Sequence, residues 1–585
     1  MKWTPRHSTR RIARTAITWF VLIALAAGTA LANNSKISPD LQALLNNPSA
    51  QVNVIVQYNS QQSTTCSGLL GGLLCPVLNL AGGVVNDLLG VINAVAGTLS
   101  ISDVVNLSNQ SNVSYISLDR PVRPMLDYTA AAVGAQYAWS GGLDGTGVGI
   151  AIIDSGIYPH ADLNGKNSNQ SRIVYRQSFV KGGVQFDDYG HGTHVAGIAA
   201  SNGNSSDKAG AFRTFKGIAP NANLIDLRVL DTNGESSDSE VIAAIQEAIQ
   251  LKSEYNIRVI NLSLGRPIFE SCTIDPLCRA VQAAWQNGIV VVTAAGNLGR
   301  DGYSTILSPG NSPYVITVGC MKTMGTVAVS DDRIASYSSR GPTFIDMTVK
   351  PDVVAPGNLV DSLLAPGSTL EAAYPGNIVP PSAYTTAAVS GGPYYFTLSG
   401  TSMATPVVSG TVALMLQQNP DLTPDTVKAR LMKTADKNFP VSSTATDPTT
   451  GQTYTDFYDI FTVGAGYVNV ANVLQNHDSV TGTALSPQVQ YNWLLQTAYL
   501  VPSSSSAWWS SSNMATSAVW GSSVLMPAGT SAVWGSSAVW GSSAVWGSSA
   551  VWGSSAVWGS SAVWGSSAVW GSSAVWGSSV GTGEN

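Results

Sequence analysis

Five short apolar runs punctuate the middle of the chain, at residues 148–153, 223–229, 259–263, 289–294 and 315–318. Short continuous apolar runs of this kind are expected of strands buried on both faces. Helical patterns alternate with them. Ser237-Asp238-Ser239-Glu240 has capping-box form, and Val241, Ile242, Ile245, Ala248 and Ile249 then follow at helical spacing. The alternation predicts an α/β fold, with a doubly wound, mostly parallel sheet flanked by helices. Residues 407–416 are almost continuously apolar and predict a buried helix. Upstream, Val52-Asn53-Val54-Ile55-Val56-Gln57-Tyr58 alternates like a half-buried strand. Val84, Val85, Leu88, Val91, Ile92 and Val95 recur at helical spacing, and Val113-Ser114-Tyr115-Ile116-Ser117-Leu118-Asp119 reads as a closing strand. A small α/β unit is expected there.

The tail follows a different rule. From Ser479 to Gly583 there is no Asp, Glu, Lys or Arg, and Ala-Val-Trp-Gly-Ser-Ser recurs with tryptophans at 534, 540, 546, 552, 558, 564, 570 and 576. An even period puts Ala, Trp and one Ser on one face of an extended chain. On a helix the tryptophans would scatter and Gly would fall inside. Stacked short β segments and an unfolded chain of aromatic groups both remain open for it.

Composition narrows the class. At 585 residues the chain exceeds one compact core. Charged residues are only 11% and the net charge is −6, which argues against nucleic acid as a partner. Five cysteines are too few for a disulfide scaffold. Residues 1–32 combine a basic head (Lys2, Arg6, Arg10, Arg11, Arg14), an apolar run and Ala30-Leu31-Ala32, the form of a secretory signal peptide. A retained anchor is the alternative, though the run is short for a membrane span.

The chemistry concentrates in three places. Ser402, in Gly400-Thr401-Ser402-Met403-Ala404-Thr405-Pro406, opens the apolar 407–416 helix, where free N–H groups can face a developing oxyanion. A helix cap is the plain alternative for such a serine. A nucleophilic serine needs a base. Of five histidines, His7 and His477 lie outside the patterned region, leaving His160, His191 and His194. Asp154 ends the first apolar strand, at the sheet edge where α/β sites are built. The order Asp, His, Ser is one of three that reach the triad geometry. A zinc site on His191 and His194 fails on spacing, since helical zinc proteases place histidines four apart around a Glu.

Asp154-Ser155-Gly156, His191-Gly192-Thr193-His194-Val195-Ala196-Gly197 and Gly400-Thr401-Ser402-Met403-Ala404-Thr405-Pro406 resemble the three signature motifs of the subtilisin-like serine proteases. The resemblance implies a secreted endopeptidase in which Asp154 orients the imidazole, His191 is general base and acid, and Ser402 is the nucleophile. His194 would then be structural. Ala294-Ala295-Gly296-Asn297 matches the segment that supplies the oxyanion-hole amide, here Asn297. The resemblance further implies that an extended protein or peptide substrate pairs with Ser263, Leu264 and Gly265, beside a pocket walled by Ala294, Ala295 and Gly296. No charged residue can be placed at the pocket base, which leans toward an apolar or mixed preference.

The same resemblance implies an inhibitory propeptide over residues 33–125, cut off by the enzyme itself between Asp119 and Tyr128. A catalytic domain follows over 126–475, then an uncharged linker over 476–530 and the repeat tail over 531–585. The propeptide departs from the family pattern in a Gly- and Leu-rich insertion at 66–82, where Cys66 and Cys75 could pair. Cys272 and Cys278 are expected to pair and Cys320 to be an inert core thiol. Residues 201–216 read as a polar surface loop without the family's calcium-binding pattern, so no metal or cofactor is implied by a clear ligand set. The tail suits envelope association or self-association through tryptophan. The competing reading is a surface or adhesive protein with an inactive protease-like domain; the presence of Asp154, His191, Asn297 and Ser402 together weighs against it.

Overall fold

The structure, a computed structural model, describes residues 33–59, 84–89, 94–118 and 128–501, apart from residues 43, 166–167, 387–393, 448–449, 481 and 493–496. The signal segment, Cys66 and Cys75, the processing segment and the repeats lie outside the described residues. The chain divides into two units, Met1–Pro124 and Met125–Asn585.

The N-terminal unit is an antiparallel sheet in the order β2-β3-β1-β4, built from β1 (Gln51–Tyr58), β2 (Val84–Leu89), β3 (Ala94–Ser100) and β4 (Val113–Leu118). Helix α1 (Ile101–Ser108) follows β3, and Ser100 caps it by accepting from Asp103 N–H at 3.2 Å. Val54, Val56, Leu99, Ile101, Val104, Leu107 and Ile116 form its core. The helix expected across Val84 to Val95 is instead the antiparallel pair β2 and β3, paired from Val84↔Thr98 to Leu89↔Ala94 with a register shift between Val85 and Asp87. The physical reason lies in the residue types. Four of the six apolar positions that marked the helical period are Val and two are Leu and Ile, so β-branched side chains dominate and favour strand. The helix lies one step later, after the Ser100 cap.

The larger unit is built on eight strands: β5 (Gly149–Asp154), β6 (Ile173–Ser178), β7 (Asn223–Arg228), β8 (Ile257–Leu262), β9 (Val290–Ala294), β10 (Ile316–Lys322), β11 (Arg333–Ile334) and β12 (Val353–Pro356). Their order is β11-β10-β9-β8-β5-β7-β6, with β12 also on β10, and only the β10–β11 pair is antiparallel. All five expected strands are present. Strand β5 is central. The chain leaves it toward β6 and β7 and later returns to its other side as β8, which places the topological switch at the carboxyl end of β5.

Helix α2 (His191–Ala200) and helix α5 (Thr401–Gln418) pack together on one face; α3 (Asp238–Gln250) and α4 (Pro276–Gln286) pack together on the other. The Ser237 capping box forms as expected, with Glu240 Oε2 accepting from Ser237 N–H at 2.9 Å. Every residue of α5 from Thr401 to Leu416 is buried, as its apolar run requires. Strands β13 (Val360–Leu363), β14 (Ile378–Val379) and β15 (Tyr395–Leu398) make a small separate sheet against α2.

The loop at 201–216 is less superficial than expected. Ser201, Ser205, Ser206, Arg213 and Phe215 are buried. Asp162 accepts from Ser205 N–H at 2.6 Å and from the Tyr395 hydroxyl at 2.7 Å, and Arg213 pairs with Asp361 at 2.5 Å. These polar residues have internal partners, while Asn204, Asp207, Lys208 and Thr214 stay exposed, so the loop is a surface loop with a buried underside. Cys272 and Cys278 form a disulfide, and Cys320 is a buried free thiol. The first residues placed in the linker pack onto this unit as well. Ser486 is buried and donates to Asp352 Oδ1 at 2.6 Å, and Lys428 Nζ donates to Ser486 Oγ at 2.8 Å.

Candidate active site

Two glycines bring the first two motifs together. A Cβ on Gly192 would lie 2.2 Å from Gly156 O and 3.2 Å from Asp154 Cβ, so only glycine lets α2 start against the end of β5. His191, the first residue of α2, then places Nδ1 2.8 Å from Asp154 Oδ1. That carboxylate oxygen also accepts from Ser155 N–H at 2.8 Å. A carboxylate only accepts, so His191 Nδ1 carries the proton and Nε2 keeps its lone pair. Burial alone would push the imidazole pKa down; the charges of Asp154 and then Asp187 outweigh it, and the net shift is upward.

Asp187 belongs to the candidate site although no motif in the sequence singled it out. Its Oδ1 accepts from Ser155 Oγ at 2.8 Å and from Gly190 N–H at 2.6 Å. Its Oδ2 accepts from Thr193 N–H at 2.8 Å and Thr193 Oγ1 at 2.6 Å. Both hydroxyls must donate here, because Ser155 Oγ already accepts from Gly192 N–H and Thr193 Oγ1 from Tyr158 N–H, each at 2.8 Å. Four donors thus converge on one buried carboxylate. Burial pushes its pKa up to about 6, against the four donors, which favour the ionised form. The signal was available: an aspartate just ahead of a glycine-led helix start is a natural anchor for that helix's free N–H groups.

Ser402 is the second residue of α5. Its hydroxyl donates to Ser263 O at 3.1 Å, and Ser263 Oγ donates back to Ser402 O at 2.8 Å. Among the described residues the buried His191 Nε2 has no hydrogen-bond partner, so the serine-to-histidine contact is not made in this structure. Such contacts often close only around substrate. Asn297 Oδ1 accepts from Thr401 N–H at 3.0 Å and Thr401 Oγ1 at 3.1 Å. The backbone donor fixes which end of the amide is oxygen, which turns Nδ2 the other way. A Cβ on Gly400 would lie 3.2 Å from that Nδ2, so the amide nitrogen sits beside the entrance to Ser402.

The remaining expected residues fall into two walls. Ser263, Leu264 and Gly265 continue past β8, and Ala294 ends β9 with Ala295 and Gly296 following it; β8 and β9 are adjacent strands of the sheet. His194 is fully buried, with Nε2 3.1 Å from Val360 O and 2.9 Å from Phe396 O. Carbonyls only accept, so Nε2 is protonated and the ring ties α2 to the small sheet. Burial lowers its pKa to about 3. His160 lies apart, accepting from Asp162 N–H at 3.1 Å.

Residues 145–459 match the Subtilase family. The chain is similar to the serine protease AprX of Bacillus subtilis (strain 168), with 42% identity over 338 residues, 57% of this chain and 71% of that protein. It is similar to subtilisin E of the same organism at 33% identity over 373 residues, 61% of this chain and 80% of that protein. An alkaline protease of Alkalihalobacillus alcalophilus shares 33% over 341 residues, 58% of this chain and 72% of that protein.

Proposed function

The chain belongs to the subtilase family of serine endopeptidases, and on that premise we propose that Asp154, His191 and Ser402 are its catalytic triad. Ser402 Oγ attacks the scissile carbonyl carbon and its proton passes to His191 Nε2. The C–N bond then breaks as His191 returns that proton to the leaving amine, leaving an acyl-enzyme. Water, deprotonated by the same nitrogen, attacks the acyl carbon; the C–Oγ bond breaks, His191 returns the proton to Ser402 Oγ, and the acid leaves. Asp154 holds the tautomer and stabilises the imidazolium. Asn297 Nδ2 and the Ser402 N–H receive the oxyanion. The observation that supports this most is the buried 2.8 Å Asp154–His191 contact, with an unpaired Nε2 in the same motif framework as Ser402.

The finer reading is a secreted zymogen. Residues 1–32 direct export, and residues 33–125 serve as a propeptide removed by self-cleavage between Asp119 and Tyr128. The uncharged tail attaches the enzyme to envelope material or to other copies. Purified protein treated with a fluorophosphonate probe should label at Ser402 and lose peptide hydrolysis. Label that persists in Ser402→Ala would refute the nucleophile. A Ser402→Ala precursor that is still processed in a protease-deficient host would refute self-cleavage.

A further inference from the structure

Gly265 and Gly296, one from each proposed wall of the substrate pocket, turn their missing side chains toward the same residue. A Cβ on Gly296 would lie 2.7 Å from Leu307 Cγ and 2.9 Å from its Cδ1. A Cβ on Gly265 would lie 3.1 Å from Leu307 Cβ and 3.6 Å from its Cδ1. The space that the two glycines open is therefore occupied at one end by an isobutyl group, which is only 5% exposed.

That group is held in place from both sides. Leu307 N–H donates to Ala295 O at 3.0 Å. Ser308 and Arg266 exchange backbone bonds at 2.8 Å in each direction. The segment carrying Leu307 is thus stitched to both walls, and moving it aside would break three backbone bonds. The neighbouring charges are turned elsewhere. Arg266, next to Gly265, gives its guanidinium to Asp238 and Asp275, both at 2.9 Å. Asp275 also accepts from Ser308 Oγ at 2.9 Å. Ser339 Oγ, 2.9 Å from the Gly296 Cβ position, is already the acceptor for Leu298 N–H at 3.0 Å.

We propose that Leu307 is the specificity-determining residue of this enzyme, closing the pocket so that it takes a short aliphatic side chain on the residue before the scissile bond. The inference rests on the reading of residues 263–265 and 294–296 as substrate walls. An alanine or valine side chain fits above an isobutyl floor. A phenylalanine ring meets it, and a lysine or arginine would bring a charge to an apolar floor where the Asp275 carboxylate is already paired with Arg266. Discrimination by pocket volume is modest per methylene, about 10- to 200-fold.

The test is a series of peptide anilides differing only in that residue (Ala, Val, Leu, Phe, Lys), assayed on the full-length wild type, Leu307→Ala and Leu307→Val. Active enzyme is counted by fluorophosphonate labelling, which does not depend on the pocket. The wild type should favour Ala and Val over Phe and Lys by at least about 10-fold in kcat/KM. Leu307→Ala should raise the Phe-to-Ala ratio by about 10- to 200-fold, and Leu307→Val by less. A labelled wild type that prefers Phe or Lys overturns the proposal. So does an unchanged ratio in a variant that keeps its label. If Leu307→Ala fails to fold, the milder Leu307→Val and the wild-type profile decide the matter. A wild type that neither labels nor hydrolyses any of the peptides overturns the enzyme reading, and this inference with it.

Discussion

Helices α2 and α5 both begin just after a glycine, and each carries a proposed triad residue in its first turn, yet their starts are used in opposite ways. At α2, Asp187 consumes the N–H groups of Gly190 and Thr193, and Ser155 consumes that of Gly192. At α5, Asn297 takes the Thr401 N–H, and the Met403 and Ala404 N–H groups turn back to Gly400 O. The Ser402 N–H has no acceptor among the described residues. A buried carboxylate at α2 neutralises the positive end of that helix and holds His191 in place. A neutral amide at α5 leaves the helix's partial charge for an oxyanion. The same element type therefore anchors in one place and stabilises charge in the other, depending on whether its free donors are filled.

Substitutions break this comparison at different depths. Removing the reacting groups should cost most: Ser402→Ala and His191→Ala should each lower kcat by on the order of 10⁴-fold or more, with the double variant no worse than either single one, because the pair acts as a unit. Additive losses in steady-state assays would show that the two residues work independently. Next comes the open helix start. Asn297→Ala should lower kcat by about 100- to 1,000-fold, the range typical of one oxyanion donor, with KM little changed. A matching rise in KM instead would make Asn297 a binding residue.

The filled start should respond differently. Asp187→Asn turns an NH₂ group toward converging donors, so the melting temperature should fall, by the equivalent of about 1–3 kcal/mol. Its charge also helps to raise the His191 pKa. Without that charge the base stays neutral to lower pH, and the acid limb of kcat/KM should move down. The titrating and charged neighbours that could mask this are Asp154, Asp226, Tyr189 and Arg228. An acid limb that stays in place while stability falls would leave Asp187 with a structural role alone.

A smaller effect separates His194 from His191. The folded pKa of His194 lies at about 3 against 6.5 for the free side chain. Its contribution is therefore fully present above pH 6.5 and is lost as pH falls toward 3, by about 1.4 kcal/mol per pH unit. The raised pKa of Asp226, about 8, works in the opposite direction: that residue disfavours the fold as pH rises from 3.8 toward 8. The difference between the wild type and His194→Gln in denaturation from pH 7 to pH 4 isolates the histidine. Equal slopes for the two proteins would remove the assignment.

The least change is expected from the tail. Stopping the chain after Val501 should leave hydrolysis of a short peptide at the wild-type rate, since no repeat unit carries a group that titrates near neutrality. Stopping after Asn476 should lower the melting temperature, because it removes Ser486 from Asp352 and Lys428. Equal stability of the two truncated proteins would count against that clasp.

Much of this molecule follows from local rules. The five apolar runs could be read as strands because a strand buried on both faces leaves a largely apolar stretch, although Asp226 and Arg228 interrupt the second run and Asn261 the third. The Ser237–Glu240 cap was legible because both halves of its hydrogen bonding lie within four residues. Asp154, His191, Asn297 and Ser402 stood out as candidates because each sits in a glycine-containing motif; at Gly192 the glycine is required by close backbone approach to Gly156 O. Where local rules conflict, sequence alone misleads. The 84–95 segment satisfies a helical period and a β-branched preference at once, and pairing of β2 with β3 settled it as strand.

Three features needed the tertiary structure. Asp187 matters because Ser155, Gly190 and Thr193, up to 32 positions away, converge on it. Leu307 meets both proposed walls because Gly265 and Gly296, which follow two adjacent strands, point at it. Ser205 and Arg213 of the otherwise largely exposed 201–216 loop are buried because Asp162 and Asp361 arrive from elsewhere in the chain. Each is a contact between segments distant in sequence. A pattern read along one stretch can register an element's own period and caps, but not the partners that folding brings to it.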